Sequence, residues 1–413
     1  MKKYFRKLNQ IGAAHLLAPL LVTALIAGVG VYVLNKSRAA TLVRTSYSTT
    51  PLLFSQQDYT NPAKAIYSIK TVTAEGTSPL TQAEQTSDKY WLSSGKYDPA
   101  KSQIAYAETP KGSANSRITV KPLNRVGITP PKVYSNGVGE LEDFIWSPDG
   151  KRIIYQTTQL TGNVVKFKAL DVKTGSVTEL ATVSILSGGV IWGVSGFDML
   201  GDNQSIVYNL GNSIYQVKTN SSVSSPAEDN GGNCRLVGRR PGTTTEFAYT
   251  CYNESARNTS VYTKTLTTAE KLVYASPAWS WNNGTTNKYL DNVAWSQNGA
   301  QLALSRANET VIDSETCLRK IQPSMDVINA DGTGFRTLAN TDASQTVGPG
   351  CGGAGGGREG QELVWSKGGS IAVITRSTTT TAVKVVGPTD PYNVATVFKL
   401  PNSTAMAVNH LDW

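Results

Sequence analysis

The sequence predicts an all-β fold: a β-propeller of four-stranded antiparallel blades, preceded by a single transmembrane α-helix. Three observations carry this expectation: a short apolar strand pattern written seven times, a recurring tryptophan-headed hairpin, and one uncharged N-terminal stretch. The seven copies are LLFSQ at 52–56, QIAYAE at 103–108, RIIYQT at 152–157, SIVYNL at 205–210, EFAYTC at 246–251, QLALSR at 301–306 and SIAVIT at 370–375. Each has the apolar, β-branched and aromatic character of a buried strand. A chain of 413 residues exceeds the usual single-domain length, but repeat folds grow by adding units, so one propeller uses most of it without a second domain.

Each copy extends into a larger unit. FIWSPDGKRIIYQT at 144–157 is an apolar strand, a Pro-Asp-Gly turn and a second strand. Proline presets one turn dihedral and glycine accepts the next, so the turn has a physical cause. VAWSQNGAQLALSR at 293–306 and LVWSKGGSIAVITR at 363–376 repeat it. A third strand follows each hairpin, as in RITVKPL from 117 and VVKFKALDV from 164, and a fourth follows a glycine turn in DVKTGSVTEL at 171–180 and NADGTGFRTL at 329–338. Residues 220–232, NSSVSSPAEDNGG, read instead as an exposed loop. Four antiparallel strands per unit define a propeller blade.

The hairpin resembles the TolB-type, WD40-like propeller repeat, whose hallmark is W-S-P-D-G. Trp146 to Gly150 match it fully, and residues 295–299 and 365–369 match with substitutions. The blades opening near Trp91, Phe197 and Cys234 depart from the pattern, so six or eight blades stand as alternatives to seven. The resemblance covers the chain from about residue 50 to its end. It implies the fold and a general role in binding proteins or ligands, and it brings no catalytic residue.

Closure of the ring has its own signal. The first copy has no tryptophan-type strand before it, whereas MAVNHLDW at 406–413 is such a strand with no partner after it. Pairing the two closes a domain spanning 51–413 and leaves no sheet edge open there. Trp413 then joins Trp146, Trp295 and Trp365 as a core residue of the repeat.

All four cysteines, Cys234, Cys251, Cys317 and Cys351, follow the N-terminal hydrophobic stretch, none in a C-x-x-C spacing, and the only histidines are His15 and His410. That pattern favours disulfides over zinc. Cys234 and Cys251 lie on adjacent strands of one hairpin. Cys317 lies between the second and third strands of the sixth blade and Cys351 in the connection to the seventh, so both emerge on one face, where a disulfide would clamp two long insertions that read as loops lacking regular strands. Two disulfides are expected.

Residues 11–34 hold 24 residues without a formal charge, which as a helix span about 36 Å, enough for a bilayer core. Lys2, Lys3, Arg6 and Lys7 precede the stretch and Lys36, Arg38 and Arg44 follow it. The bias predicts a cytoplasmic segment 1–10, a membrane-anchoring helix 11–34, a linker 35–50 and an extracytoplasmic propeller. A cleaved signal peptide is the alternative, although its apolar region runs to about 7–15 residues. Seven of the nine net positive charges fall within residues 1–44, leaving +2 for the remainder. The propeller has no basic stripe, and nucleic acid is excluded as a partner.

Catalytic groups are scarce. His410 sits in the closing strand beside Leu411 and Trp413 and reads as a strand residue with a hydrogen-bonded ring. Glu140, Glu142 and Asp143 form the densest acidic group and read as a solvated connection. The glycine-rich run 348–360 lacks the G-K-[ST] ending of a phosphate loop, and 329–334 lacks the later acidic ligands of a calcium loop. No catalytic residue, cofactor or metal is therefore expected. Trp192, Trp279 and Trp281 lie in inter-blade connections and form a candidate binding surface for an envelope protein or a glycan, with packing between blades as the other reading. The expected function is a membrane-anchored binding or scaffold module of the cell envelope; the alternative is an envelope enzyme working on glycan or peptide through carboxylates in the funnel.

Overall fold

The computed structural model describes residues 50–413, except 75, 77, 114, 124–129, 136–137, 140, 142, 160–161, 188–189, 192, 229–232, 281, 317, 341–344, 348–361, 377–379, 388–393 and 402–405. The hydrophobic stretch 11–34, Trp192, Trp281, Cys317 and Cys351 lie outside the described residues. Among the described residues, no helix is long and apolar enough to cross a membrane. The chain divides into residues 1–47 and a compact unit of residues 48–413.

The compact unit is an all-β propeller of seven four-stranded antiparallel blades. The second strand of every blade is one of the seven copied runs, from Leu52–Asp58 in blade 1 to Ile371–Arg376 in blade 7. Blade 1 takes its inner strand from the far end of the chain. Met406–Asp412 lies antiparallel to Leu52–Asp58, with Leu53 opposite Asp412 and Asp58 opposite Met406. Trp413 follows with 1% exposure, and its indole N–H donates to the Thr50 carbonyl at 2.6 Å.

The repeated tryptophans join neighbouring blades. The indole N–H of Trp146 donates to the Lys96 carbonyl of blade 2 at 3.1 Å. Trp295 does the same to Gly238 of blade 5 at 3.2 Å, and Trp365 to Ala294 of blade 6 at 3.1 Å. The rings lie in the apolar layers between sheets. One such layer holds Phe144, Trp146, Ile153 and Tyr155 against Ala105 and Ile118. Propeller stability resides in these nearest-neighbour contacts, because each blade buries its faces only against the next.

The blades that depart from the motif keep its backbone. In blade 3 the Ser147 N–H closes the hairpin on the Arg152 carbonyl; Asp98, Leu200 and Arg240 make the same bond to Gln103, Ser205 and Glu246. The turns then pack tightly on one another. A Cβ on Gly299, whose φ of +67° itself favours glycine, would meet the Pro241 carbonyl oxygen at 2.3 Å.

Two expectations are corrected. Within 220–232 the structure forms a strand, Ser224–Glu228, as the outer strand of blade 4. An outermost strand has one face in solvent, so polar residues suffice there; Gln216 Nε2 donates to Ser225 Oγ at 3.1 Å. The blade 6 insertion is not a loop lacking regular strands, because Gln301–Asp313 and Leu318–Asn329 pair along a hairpin that runs beyond the blade, with Val311 and Ile321 buried. NADGTG falls at the turn after this hairpin, where Asn329 N–H donates to the Thr333 carbonyl.

Candidate functional site

A cavity of about 530 Å3 opens along the inner strands of five blades and extends over the second and third strands of blade 1, Leu52–Asp58 and Ile66–Val72. Among its lining residues are Ser94, Asp143, Asn292, Glu362 and His410. Each stands three residues before the motif aromatic of its blade, which is Tyr97, Trp146, Trp295, Trp365 and Trp413 in turn. These five blades adjoin around the ring, in the order 6, 7, 1, 2 and 3. The same offset in blades 4 and 5 gives Gly196 before Met199 and Leu236 before Arg239, and neither lines the cavity. Repeat geometry therefore converges five polar side chains on one space: the aromatic fixes the inner strand, and the strand carries the upstream residue to the axis.

Irregular inner strands of blades 1, 2 and 6 border the opening; in blade 6 the register shifts between Leu290 and Asn292. In the closing strand, Phe54 is opposite Leu411 and Ser55 opposite Asn409, so His410 is the extra residue of a β-bulge, with φ at +54°. A bulge re-aims its side chain and strengthens the local twist, and a left-handed non-glycine residue is a strained choice that local contacts must hold. Glu362 supplies those contacts. Its carboxylate accepts the Leu411 N–H at 2.7 Å and lies 3.0 Å from His410 Nδ1. In blade 2 the inner strand breaks between Tyr90–Leu92 and Lys96–Tyr97. Three residues, Ser93 to Gly95, there face only two, Tyr106 and Ala107, on the second strand. Gly95 lies so close to Ile69 and Leu53 that an added Cβ would come within 2.8 Å of the Ile69 side chain.

The charges of the cavity are matched in pairs. Lys96 Nζ lies 3.0 Å from Asp143 Oδ1, opposite in sign and in the same space as the Glu362–His410 pair. The Glu362 hydrogen bond raises the His410 pKa above its usual value; burial and Lys96 oppose that rise, and Asp143 adds to it. Ser55 Oγ, on a side chain 9% exposed, and Gln56 Oε1 also line the space, buried and without a hydrogen-bond partner among the described residues. Tyr59 O–H donates to Gln57 Oε1 at 2.6 Å, which fixes one further amide at the wall. Among the described residues no group of three or more His, Cys, Asp or Glu side chains is arranged to hold a metal ion.

Of the sequence-derived candidates, Asp143 and His410 line the cavity and Trp279 does not. Trp279 is half-buried against blade 5: its indole N–H donates to Tyr252 O–H at 3.1 Å, and the Arg257 guanidinium lies 5.4 Å from the ring centroid. Asp143 is not part of a solvated connection; it opens the inner strand Asp143–Trp146 and lines the cavity. His410 is a strand residue with its ring paired to Glu362. Cys234 and Cys251 sit directly opposite on neighbouring strands of blade 5 and are joined by a disulfide. The sequence did hold a signal for the cavity. D-F-I-W, N-V-A-W, E-L-V-W and H-L-D-W all place a polar residue three positions before tryptophan.

These features define a seven-bladed propeller with a polar, charge-paired funnel. No protein-family model matches the sequence, and no curated protein is similar to it. Solved structures share the fold. An oligogalacturonate lyase from Vibrio parahaemolyticus superposes with a TM-score of 0.54 at 10% identity, covering 82% of this chain and 92% of that one. Prolyl oligopeptidase B from Galerina marginata gives 0.51 at 11% identity, over 92% of this chain and 55% of that one. A protein described as a TolB from Agrobacterium tumefaciens gives 0.40 at 12% identity, over 65% and 85%. Likeness at such identities shows the fold alone, and function has to be argued from the site.

Proposed function

We propose that the chain is a membrane-anchored, extracytoplasmic binding module of the TolB-type, WD40-like repeat class, and that its funnel receives the ligand. The observation that carries this reading is the cavity itself, walled by five blades and lined by paired charges beside orphaned polar atoms. Pockets with a few convergent polar groups are the usual ligand sites. Binding is favoured over catalysis because Asp143 and Glu362 are each already engaged by a basic side chain, Lys96 and His410 respectively. The anchor rests on the uncharged stretch 11–34, and the extracytoplasmic placement also on the Cys234–Cys251 disulfide. A second disulfide, Cys317–Cys351, belongs to the same reading. The pairing of Arg319 with Val347 brings together the strands that flank these two cysteines.

A photo-crosslinking residue at Ser94 of the full chain, in the cells that make it, tests the funnel. Adducts are expected from Ser94 and not from Lys132, which is exposed on an outer strand. Equal labelling from both sites, or none from Ser94, would place the docking surface elsewhere.

A further inference from the structure

Beside the cavity lies an aromatic shelf that the repeat does not require. Tyr67 lines the cavity, and the Trp91 ring sits 5.7 Å from it with the residue 55% exposed. Tyr59 meets the Tyr67 ring edge-on at 6.3 Å. Trp91 immediately precedes Leu92 and Ser93, both of which line the cavity, at the break in the inner strand of blade 2. Exposing a large aromatic surface to water is unfavourable unless something covers it, and here the surface adjoins a polar space.

We propose that this shelf and the cavity floor form a saccharide subsite, with Trp91 stacking on a sugar ring and the hydroxyl and amide groups of the wall reading its hydroxyls. The inference rests on the funnel reading above and names its ligand class. A pyranose has one apolar C–H face and a rim of hydroxyls that both donate and accept. The exposed Trp91 ring matches the face, with the buried Tyr67 ring packed against it. Gln56, Gln57, Ser55, Ser93 and Asn292 match the rim, with Ser55 Oγ and Gln56 Oε1 lacking partners among the described residues. The three carboxylates of the wall, Asp143, Glu362 and Asp412, are each paired with a basic side chain, Lys96, His410 and Lys101, so the wall offers no unpaired cation for a polyanion and no unpaired carboxylate for a basic peptide.

The test is calorimetric titration of the full chain, kept in a detergent without a sugar headgroup. The probes are cellotetraose, the tetramer of N-acetylglucosamine, and tetra-alanine. At least one of the two oligosaccharides is expected to bind saturably, and Trp91→Ala to weaken it about tenfold, the order of one lost aromatic contact. Trp91→Tyr should recover most of the affinity, and the thermal midpoints of both variants should stay at the wild-type value, which separates lost stacking from lost folding. Three results overturn the proposal: no oligosaccharide binding below about 10 mM, which is weaker than any working affinity; unchanged affinity in Trp91→Ala; or Trp91-dependent binding of tetra-alanine alone. The last would leave the funnel reading standing and change its ligand class. Absence of all binding together with absence of Ser94 crosslinks would remove both.

Discussion

Blades 6, 7, 1, 2 and 3 and blades 4 and 5 share one backbone plan but put it to different uses. In the first arc, the position three residues before the motif aromatic carries Asn292, Glu362, His410, Ser94 and Asp143. Irregular inner strands occur in both arcs, in blades 1, 2 and 6 and again in blades 4 and 5, so it is the side chains at this offset that differ. In blades 4 and 5 the counterparts are Gly196 and Leu236, the motif tryptophan is replaced by Met199 and Arg239, and blade 5 carries a disulfide between its first two strands. In a repeat protein, positions that repeat report packing. Positions that vary in one arc only, at a fixed offset from the repeat, report the site.

The largest effect should come from breaking the closure, on which the polar arc depends. Trp413→Ala removes a fully buried indole and its bond to Thr50, and should cost about 3–5 kcal/mol in chemical denaturation. A thermal midpoint unchanged by this substitution, or by deletion of residues 409–413, would refute closure by the C-terminal strand. On the other arc, replacing Cys234 and Cys251 together by alanine opens a loop with a sequence separation of 17. The expected loss is about 3 kcal/mol, read from denaturant midpoints under non-reducing conditions. A loss near zero would mean that blade 5 is held by its strands alone.

A smaller effect sharpens the view that the tryptophans act between blades. Trp365→Phe keeps a ring but removes the donor to the Ala294 carbonyl, and should cost about 1–3 kcal/mol. Trp279→Ala, at a half-buried ring outside the repeat, should cost less than that core value, about 1–2 kcal/mol. Were Trp279 the more costly of the two, the inter-blade connection rather than the repeated hairpin would carry the packing.

The same contrast explains what the sequence disclosed. Blades 3, 6 and 7 were legible because W-S-x-x-G joins an aromatic donor to a glycine turn, so one physical device leaves one pattern. Blades 2 and 5 reach backgrounds of the same kind with other donors: Tyr97 O–H bonds the Pro51 carbonyl at 2.8 Å, and the Arg239 guanidinium bonds the Met199 carbonyl at 3.0 Å. A backbone acceptor accepts from phenol, guanidinium or indole alike, so the interaction persists while the letters change. The cavity was harder to see because its members are far apart in sequence and share only an offset. Lys96 and Asp143 meet across 47 positions, and Glu362 and the Leu411 N–H across 49. Trp91 was legible only as the opening of a blade, a position the structure gives to Tyr97, since an exposed aromatic and a packed one are spelled alike.

The finest test concerns the His410–Glu362 pair, where the two requirements of the polar arc, closing the ring and lining the funnel, meet. The hydrogen bond to Glu362 raises the histidine pKa above 6.5, against burial and Lys96, with Asp143 assisting. A raised folded-state value means that the folded chain holds this proton more tightly than the unfolded chain does. The stabilisation is therefore complete below the unfolded value of about 6.5 and is lost as pH rises through the higher folded value. Half of the His410 side chain meets solvent, so the effect on overall stability is small and the titration itself is the readout. Followed by NMR, with His15 as the only other histidine of the chain, the His410 resonance should titrate above 6.5 in the wild type and fall in Glu362→Gln, where Lys96 and burial act without the opposing carboxylate. Asp143→Asn should lower it less, because Asp143 acts on the ring only through space. If the two substitutions moved the midpoint equally, the bulge would be held by the general field of the funnel, and Glu362 would lose its place as the group that fixes the closing strand.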